Sequence, residues 1–277
     1  MKLSTLIPVV ILSVSFFACG DGIKQGHDST EQVSSHDEDV KELKATLTRD
    51  PRKIGPAKPQ SQKHIDENIY RINAAENPLY GYWVGAFGKN KINIALAYTE
   101  GDSIFGHSVC AGNFRPIKGT VKEKEGGNYA INMWEPGDDK YDGAFQFEIN
   151  LAAGELAGTW EPYKKTTAAK EYTLRKRDYK YEPSQGDFPD ASTRQLEIPD
   201  VENFLPEEIE MIRNEIYARH GYSFKNIKIR RIFDAKDWYI PMSVDIRDQL
   251  TPLEAQNIDL LYNYEEYYDE YYDEYGR

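Results

Sequence analysis

Residues 92–102 read INIALAYTEGD, and this stretch decides the fold class of the middle of the chain. Apolar residues alternate at positions 92, 94 and 96, and the polar end at 99–102 contains a glycine. A period of two that stops at such a turn predicts a half-buried strand followed by a hairpin. Similar short segments recur from residue 79 to residue 178 and give about eight strands. The sequence therefore predicts a small antiparallel β-barrel or meander that closes on itself over 79–178.

Two motifs with a tryptophan mark this region, Gly81-Tyr82-Trp83 and Gly158-Thr159-Trp160. They resemble the Gly-x-Trp motif near the first strand of lipocalins and related small barrels. The resemblance implies a carrier of a small apolar ligand, with Trp83 and Trp160 framing the mouth or the base of the barrel. The alternative is that both tryptophans are core aromatics, because side chains can fill an eight-strand barrel. A cavity smaller than about 300 Å³ would exclude the carrier.

The N-terminus has the features of a secretory signal peptide over residues 1–18. Lys2 supplies a positive charge, and the apolar run that follows is shorter than the roughly 20 residues of a transmembrane helix. Residues 16–19, FFAC, resemble the lipobox of bacterial lipoproteins, although Phe16 replaces the usual aliphatic residue. The resemblance implies that Cys19 is acylated and becomes the first mature residue. An uncleaved anchor and a signal peptide cut elsewhere are the alternatives.

Residues 19–78 are mostly polar and charged, and they have little apolar surface to bury. This composition predicts a flexible tether between the lipid and the folded part of the chain. Acyl chains that bury methylenes at ~0.8 kcal/mol each can anchor a protein without a spanning helix. We therefore expect a protein that contacts a membrane only through its N-terminal lipid. The expected location is the cell envelope, at the outer membrane, with the periplasmic or surface face left open.

The charge of the chain limits its partners. The formal net charge is −12, and removal of Lys2 with the signal peptide makes it −13, since −12 − 1 = −13. Nucleic-acid binding requires basic faces, and anionic lipid surfaces repel acidic proteins. The sequence thus argues against nucleic acid as a partner.

The candidates for reactive or metal-binding chemistry are weak. Cys110 has no disulfide partner once Cys19 carries lipid, and it lies in an apolar alternating segment. We interpret Cys110 as a buried small hydrophobe. The acidic loop 135–143 does not fit a calcium-binding loop, because lysine and isoleucine stand at the third and twelfth positions counted from Asp138. No metal or cofactor is predicted.

The C-terminal part has helical periodicity. Residues 179–204 contain several prolines, and we interpret them as a linker. Pro206 suits the first position of a helix, and Gly221 suits its left-handed C-terminal cap. Thr251-Pro252-Leu253-Glu254 forms a capping box that begins a second helix. The sequence therefore predicts an α+β chain of two domains, with a helical domain at 205–262 after the barrel.

Residues 263–277 repeat the letters YYDEY and combine tyrosine with acidic residues. This composition is unusual for an ordinary core. We interpret the segment as an acidic, tyrosine-rich tail that continues the last helix into solvent, with a disordered tail as the alternative.

A longer motif identifies the helical region. Residues 213–224 read RNEIYARHGYSF, and a Trp-Tyr pair follows at 238–239. This pattern resembles the bacterial YARHG domain family, which is named after its signature, from about residue 205 to residue 262. The resemblance implies a small helical module of exported bacterial proteins and no particular biochemical activity. The signature residues are Tyr217, Ala218, Arg219, His220 and Gly221.

The polar residues of this motif have two interpretations. They form either a recognition patch for a partner or an internal hydrogen-bond network that pins the helix to neighbouring loops. We favour the network, because small domains lack core and use polar contacts in its place. His220 at a helix C-terminus is a poor general base, since the helix dipole favours its protonated form. The other residues of the possible cluster are Arg213, Asn214, Trp238 and Tyr239.

These features favour a non-enzymatic, lipid-anchored envelope lipoprotein. Its barrel and YARHG domain would present binding surfaces to an envelope or extracellular partner of unknown identity, and its oligomeric state is not predicted. The first alternative is a lipocalin-like carrier of a small ligand. The second is an envelope hydrolase, which is disfavoured because only His107 and His220 lie outside the tether and no hydrolase motif is present.

The signature also predicts how substitutions act. Gly221→Val is expected to destabilise the helical domain, because the turn needs a positive φ. The barrel is expected to stay folded, because the linker separates the two domains. His220→Ala is expected to cost less, since it removes a dipole contact and one hydrogen bond at most.

Overall fold

The structure is a computed structural model that describes residues 72–138, 141–165 and 167–271, with only the backbone of 269–271. The predicted signal peptide, Cys19 and the tether up to residue 71 lie outside these described residues. Among the described residues, no helix is both long and apolar enough to cross a membrane.

Eight antiparallel strands form a closed barrel, which confirms the predicted fold class. Each strand pairs with its neighbours in sequence, and β8 closes the barrel by pairing with β1. The short hairpins follow from the glycine-containing turns, because a meander of consecutive strands needs only tight connections. The strands are β1 (Gly81–Phe87), β2 (Asn90–Glu100), β3 (Ser103–Cys110), β4 (Asn113–Lys124), β5 (Asn128–Trp134), β6 (Gly143–Asn150), β7 (Glu155–Pro162) and β8 (Lys170–Arg177).

Side chains fill most of the barrel interior. The alternating residues of the strands point inward and form one apolar cluster. Trp83 is fully buried in this cluster, and its Nε1 donates a hydrogen bond to the carbonyl of Leu79 at 3.2 Å. Leu79 belongs to the segment before β1, so this segment is packed on the barrel. The inward residues include Ile92, Ile94, Leu96, Ile131, Met133, Phe145, Phe147 and Ile149.

The helical region follows the barrel, and its described residues form five α-helices and one short 3-10 helix, Arg247–Gln249. Pro206 begins the helix that carries the signature, and Gly221, with a φ of 72°, follows the end of this helix, as the sequence predicts. A helix that the sequence analysis did not predict begins after Asn226, whose side chain caps its first turn. The helices are α1 (Asp190–Thr193), α2 (Ile198–Val201), α3 (Pro206–Arg219), α4 (Ile227–Asp234) and α5 (Pro252–Tyr271).

The predicted linker at 179–204 is built into the helical domain, because Tyr181 donates to Glu254 and the backbones of residues 187 and 188 donate to Glu215. It contains α1 and α2, and its residues Leu196 and Val201 are buried in the same apolar cluster as α3. The backbone N–H of Leu196 donates to Asn257 of α5 at 2.8 Å. The prolines begin short helical turns here, so proline content alone did not mark a linker.

The predicted domain end at residue 262 is also too early, because α5 continues to Tyr271 without a break. Glu265 is 6 % exposed, and its carboxylate pairs with Arg213 of α3 at 2.7 Å. The hydroxyl of Tyr268 donates to the carbonyl of Phe204 at 3.1 Å. One side of the predicted solvated tail therefore packs on the domain, while residues 272–277 lie outside the description.

The helical domain packs directly against the barrel, so the two are not separated as the sequence suggested. The Lys91 backbone N–H donates to Asp234 at 3.0 Å, and its ammonium donates to the carbonyl of Tyr239 at 3.1 Å. The side-chain amide of Asn93, fully buried on the outer face of β2, donates to the carbonyl of Pro241 at 3.0 Å. A mutation in one domain can therefore affect the other.

Gly112, in the β3–β4 hairpin, lies at this interface and tests its importance. Its φ is 72°, and a Cβ there would lie 2.1 Å from Cγ of Lys225 and 3.0 Å from the Lys225 backbone. Gly112→Ala is expected to lose about 1–2 kcal/mol through the positive φ and about 1–3 kcal/mol more through overpacking. Urea unfolding of the full chain measures the loss.

Gly127 provides the matched control, because its φ is 73° and nothing lies within 4 Å of the position of its Cβ. Gly127→Ala should lose only the backbone part, about 1–2 kcal/mol. Equal losses for the two variants would contradict a tight interface at Gly112.

Candidate functional site

A cavity of about 340 Å³ opens at one end of the barrel. The connections β1–β2, β3–β4, β5–β6 and β7–β8 all lie at this end and contribute residues to the cavity. In a barrel of consecutive antiparallel strands, every second connection lies at the same end. The helical domain adds one side chain, Arg230 of α4. The lining residues are Phe87, Asn90, Ile92, Ser108, Cys110, Ala111, Asn113, Arg115, Glu135, Tyr141, Phe145, Trp160, Lys170 and Arg230.

Glu135 is the buried acid of this cavity and follows β5 directly. Its Oε2 accepts hydrogen bonds from Trp160 Nε1 at 3.0 Å and from the Gly143 backbone at 2.9 Å. Its Oε1 accepts one from the Ser108 hydroxyl at 3.4 Å. Burial raises the pKa of Glu135, although the hydrogen bond from Trp160 and the charge of Arg115 oppose the rise. The carboxylate is therefore held by the protein itself.

Arg115 connects this acid to a second one. Its Nε donates to Asp142 at 2.8 Å and lies 3.7 Å from Glu135. Asp142 is 6 % exposed and belongs to the loop that the sequence analysis rejected as a calcium site. No group of three or more metal-ligating acids, histidines or cysteines occurs in the described parts of the chain. Glu135 and Asp142 therefore share Arg115 as their cationic partner.

Lys170 and Arg230 are the other cations of the lining. The Lys170 ammonium lies 4.2 Å from the centroid of the Phe87 ring and 5.0 Å from that of Trp160, distances of cation–π contacts. Arg230 donates from one terminal nitrogen to the carbonyls of Phe224 and Lys225, at 3.4 and 2.9 Å. Its Nε is buried, and no described residue accepts a hydrogen bond from it.

The two tryptophans proposed as a ligand frame do not share one site. Trp160 lines the cavity, whereas Trp83 is packed in the core and is absent from the lining. The reason is their position along the strands, because Trp160 pairs with Lys170 near the open end and Trp83 pairs with Lys176 farther along β8. Only Trp160 can contact a ligand in the cavity.

Cys110 also lines the cavity, at the end of β3. Burial raises the pKa of its thiol to about 12, against the charge of Lys170. A thiol in this setting is protonated at neutral pH and is a weak nucleophile.

The YARHG signature is organised around two buried acids. Glu215 of α3 accepts backbone hydrogen bonds from Asp187 and Phe188, at 3.0 and 2.7 Å. Arg219, one turn later, pairs with Glu215 at 2.5 Å and donates to the Ser192 hydroxyl at 2.9 Å. Both side chains are almost fully buried, so they hold the segment before α1 against α3.

His220 completes this network through the second acid, Glu254 of α5. The His220 Nε2 lies 2.8 Å from a Glu254 oxygen, and its ring stacks on Tyr181 with centroids 4.4 Å apart. Ser192 and Tyr181 donate to the other oxygen, at 2.6 and 3.0 Å. Burial opposes ionisation of Glu254, but the hydrogen bond and charge of His220 hold its pKa below the ordinary value.

The flanking residues of the motif also bond inside the domain. Arg213 pairs with Glu265 and lies over the ring of Tyr262 at 4.4 Å. Asn214 donates to the carbonyl of Glu210 at 2.8 Å. The Tyr239 hydroxyl donates to the carbonyl of Tyr222 at 2.7 Å, and Trp238 packs edge-on against Tyr239. The structure thus places this cluster in an internal network.

Gly221 has a second function besides its positive φ. Its carbonyl accepts hydrogen bonds from the backbones of Met242 and Ser243, at 2.7 and 3.1 Å. A Cβ on Gly221 would lie 2.5 Å from the Met242 side chain. The turn therefore allows residues 241–243 to approach closely, and these residues contact Asn93 of the barrel.

Sequence reasoning missed most residues of the cavity. Lys170 and Glu135 lie at strand ends, where a polar residue is ordinary, and Arg230 lies on the helix that was not predicted. The only available signals were the Asn226 cap and the spacing of Ile229 and Phe233, which indicate a short amphipathic helix.

The comparisons with known proteins support one assignment. Residues 186–266 match the family described as YARHG domain, so the chain carries that domain after its barrel. No curated protein and no solved structure matches the chain.

The buried network predicts a large effect at Glu254. Glu254→Ala is expected to lose about 3–5 kcal/mol, because it leaves His220, Ser192 and Tyr181 without their shared acceptor. His220→Ala should cost about 1.5–3 kcal/mol, more than the dipole contact expected from the sequence. Glu207→Ala, on the exposed first turn of α3, is the control and should cost about 1 kcal/mol at most. Similar urea midpoints for Glu254→Ala and Glu207→Ala would contradict the network.

His107 predicts an acid-sensitive stability. It is 4 % exposed and stacked on Phe114, and burial lowers its pKa from 6.5 to about 4. As the pH falls, His107 is protonated in the unfolded chain before it is protonated in the folded chain. The free energy of unfolding therefore keeps its full value above pH 6.5 and declines as the pH falls toward 4. The decline should reach about 3 kcal/mol. Urea unfolding should give a shallower pH dependence for His107→Gln, and parallel profiles would refute the assignment.

Proposed function

We propose that this chain is a non-enzymatic binding protein, anchored to the cell envelope by lipid on Cys19, whose binding site is the cavity at the barrel mouth. The observation that carries the proposal is the shared construction of the cavity. Thirteen lining residues come from the barrel, and Arg230 comes from the YARHG domain. A cavity completed by both domains gives a reason for their close packing.

The size of the cavity supports a small ligand. Its volume of about 340 Å³ exceeds the limit of roughly 300 Å³ below which the carrier hypothesis fails. Half of the fourteen lining residues are polar or charged, so the cavity suits a ligand that carries polar or charged groups beside an apolar part. The alternative carrier function of the sequence analysis is therefore the more specific form of the proposed binding function.

The YARHG domain supports this function as a scaffold. Arg219, His220 and Arg213 direct their polar atoms to Glu215, Glu254 and Glu265 inside the domain. Because these side chains already form buried ion pairs, they are poorly placed to recognise a partner directly. The domain instead fixes α4 against the barrel, and α4 supplies Arg230.

A second candidate function is the binding of a protein partner by the YARHG domain itself. An apolar groove of about 480 Å³ lies between α1, α2 and α3, and Phe188, Phe204 and Ile212 line it. Leu205 and Ile198, next to the groove, are 63 % and 57 % exposed. Crosslinking in intact cells distinguishes the two functions, because only the second gives a protein adduct through this groove.

The lipid anchor rests on the lipobox resemblance, and the two cysteines of the chain provide a matched test. Expression with an alkyne analogue of palmitate should label the wild type and the Cys110→Ser variant equally. Cys19→Ser should lose the label, because its hydroxyl cannot accept the lipid as a thioether. A labelled Cys19→Ser protein would exclude acylation at this residue.

The binding site is tested by obstruction of the cavity. Asn90 lines the mouth at the first residue of β2, whereas Asn128, the first residue of β5, does not line it. In a ligand-observed NMR screen of small neutral, cationic and anionic fragments, Asn90→Trp should abolish binding of most fragments that bind the wild type. Asn128→Trp should retain it. Fragments that bind both variants equally, or none that bind the wild type, would contradict the proposed site.

A further inference from the structure

The cavity contains two cations that the surrounding acids do not neutralise directly. Among the described residues, no carboxylate oxygen lies within 4 Å of the Lys170 ammonium or the Arg230 guanidinium. Both cations line the same cavity as Cys110, and the charges of both lower the pKa of its thiol against the rise caused by burial. An arginine and a lysine held at a site without acid partners are typical of anion recognition.

The acids near the cavity are committed to other groups. Glu135 receives hydrogen bonds from Trp160, Gly143 and Ser108, and Asp142 pairs with Arg115. Asp234, one turn after Arg230 on α4, accepts a hydrogen bond from the Lys91 backbone and interacts with the charge of Arg230 without an ion pair within 4 Å. These carboxylates are therefore occupied, and Lys170 and Arg230 remain as the available charged groups of the lining.

Two buried polar atoms, one on a lining residue and one on a residue that packs against the lining, have no hydrogen-bond partner among the described residues. The Nε of Arg230 is buried with no acceptor among the described residues. The hydroxyl of Tyr172 is likewise buried without a partner in the described chain, and Tyr172 is 5 % exposed. Its ring packs edge-on against Phe87 and Phe145, which line the cavity. Buried donors without an acceptor are costly unless a ligand satisfies them.

We infer that the cavity binds a small organic anion, with its carboxylate or phosphate between Lys170 and Arg230 and its flat apolar body against Ile92, Phe145 and Trp160. This inference rests on the proposed binding function and adds the chemical class of the ligand. The planar guanidinium of Arg230 can donate two parallel hydrogen bonds to an oxyanion, and Lys170 adds a point charge. The volume of about 340 Å³ restricts the ligand to roughly the size of a bicyclic acid.

A matched set of probes tests the charge requirement. The full chain is titrated with 2-naphthoate, its neutral analogue 2-naphthamide and 2-naphthyl phosphate, by isothermal calorimetry at low and moderate salt. The body of the three probes is the same, so differences in affinity report the charged group. Naphthoate or naphthyl phosphate should bind at least about tenfold more tightly than the amide, and salt should weaken only the anions. The relative affinity of the two anions distinguishes a carboxylate ligand from a phosphate ligand.

Substitutions then locate the anion. Arg230→Gln and Lys170→Gln should each reduce the affinity for the preferred anion by about tenfold, toward that of the amide, and reduce the amide affinity much less. Arg231→Gln is the control, because Arg231 is on the same helix, is exposed and does not line the cavity. Thermal melts verify that the three variants are folded to the same extent.

The outcomes separate the ligand class from the proposed function. Equal affinity for the amide and the anions, or equal losses for both in the two variants, would overturn the anion site while the cavity remained a binding site. Loss of anion binding in Arg231→Gln as large as in Arg230→Gln would overturn it as well. If none of the three probes binds, and the obstruction at Asn90 has no effect in the fragment screen, the inference and the proposed function both fail.

Discussion

The helical domain depends on one buried carboxylate, that of Glu254. It accepts hydrogen bonds from Tyr181, Ser192, His220 and both the backbone and the hydroxyl of Thr251. A buried charge costs several kcal/mol unless such donors surround it. The donors come from the segment before α1, from α1, from the end of α3 and from the start of α5. The charge can be satisfied only when these four parts of the chain assemble, so it specifies one arrangement of the domain.

That arrangement extends to the barrel through the turn at Gly221. Because His220 is fixed on Glu254, the chain reverses at the next residue, and the Gly221 carbonyl pairs with the 242–243 backbone. The same short segment presents the Pro241 carbonyl to Asn93 on the outer face of β2. After the turn, α4 is held against the barrel by Asp234, which accepts a hydrogen bond from the backbone of Lys91 in β2. The position of Arg230 at the barrel mouth therefore follows from contacts that begin at a buried acid in another helix.

The sequence could predict those parts of the fold that local patterns encode. Strands β1 to β8 follow from a period of two and glycine turns, and the limits of α3 follow from Pro206 and Gly221. Segments whose burial depends on distant partners were missed. The stretch at 179–204 has the composition of a linker, and its contacts with Glu215 of α3 and with Glu254 and Asn257 of α5 make it part of a domain. The cavity was likewise hidden, since Lys170 and Arg230 are about 60 residues apart (230 − 170 = 60) and meet only through domain packing.

The contrast between the signature and the cavity has a consequence for where function lies in this chain. The signature residues of the YARHG domain are buried and make their contacts inside the domain. Their presence therefore identifies a fold and carries no information on a ligand. The residues open to a ligand belong to hairpin ends and to a partly buried position of a short helix, where the same fold tolerates many side chains. If the cavity is the binding site, its specificity can change without any change in the signature. Two chains with the same five-residue motif would then share a scaffold and differ in what they bind, because the scaffold fixes only the position from which α4 reaches the barrel.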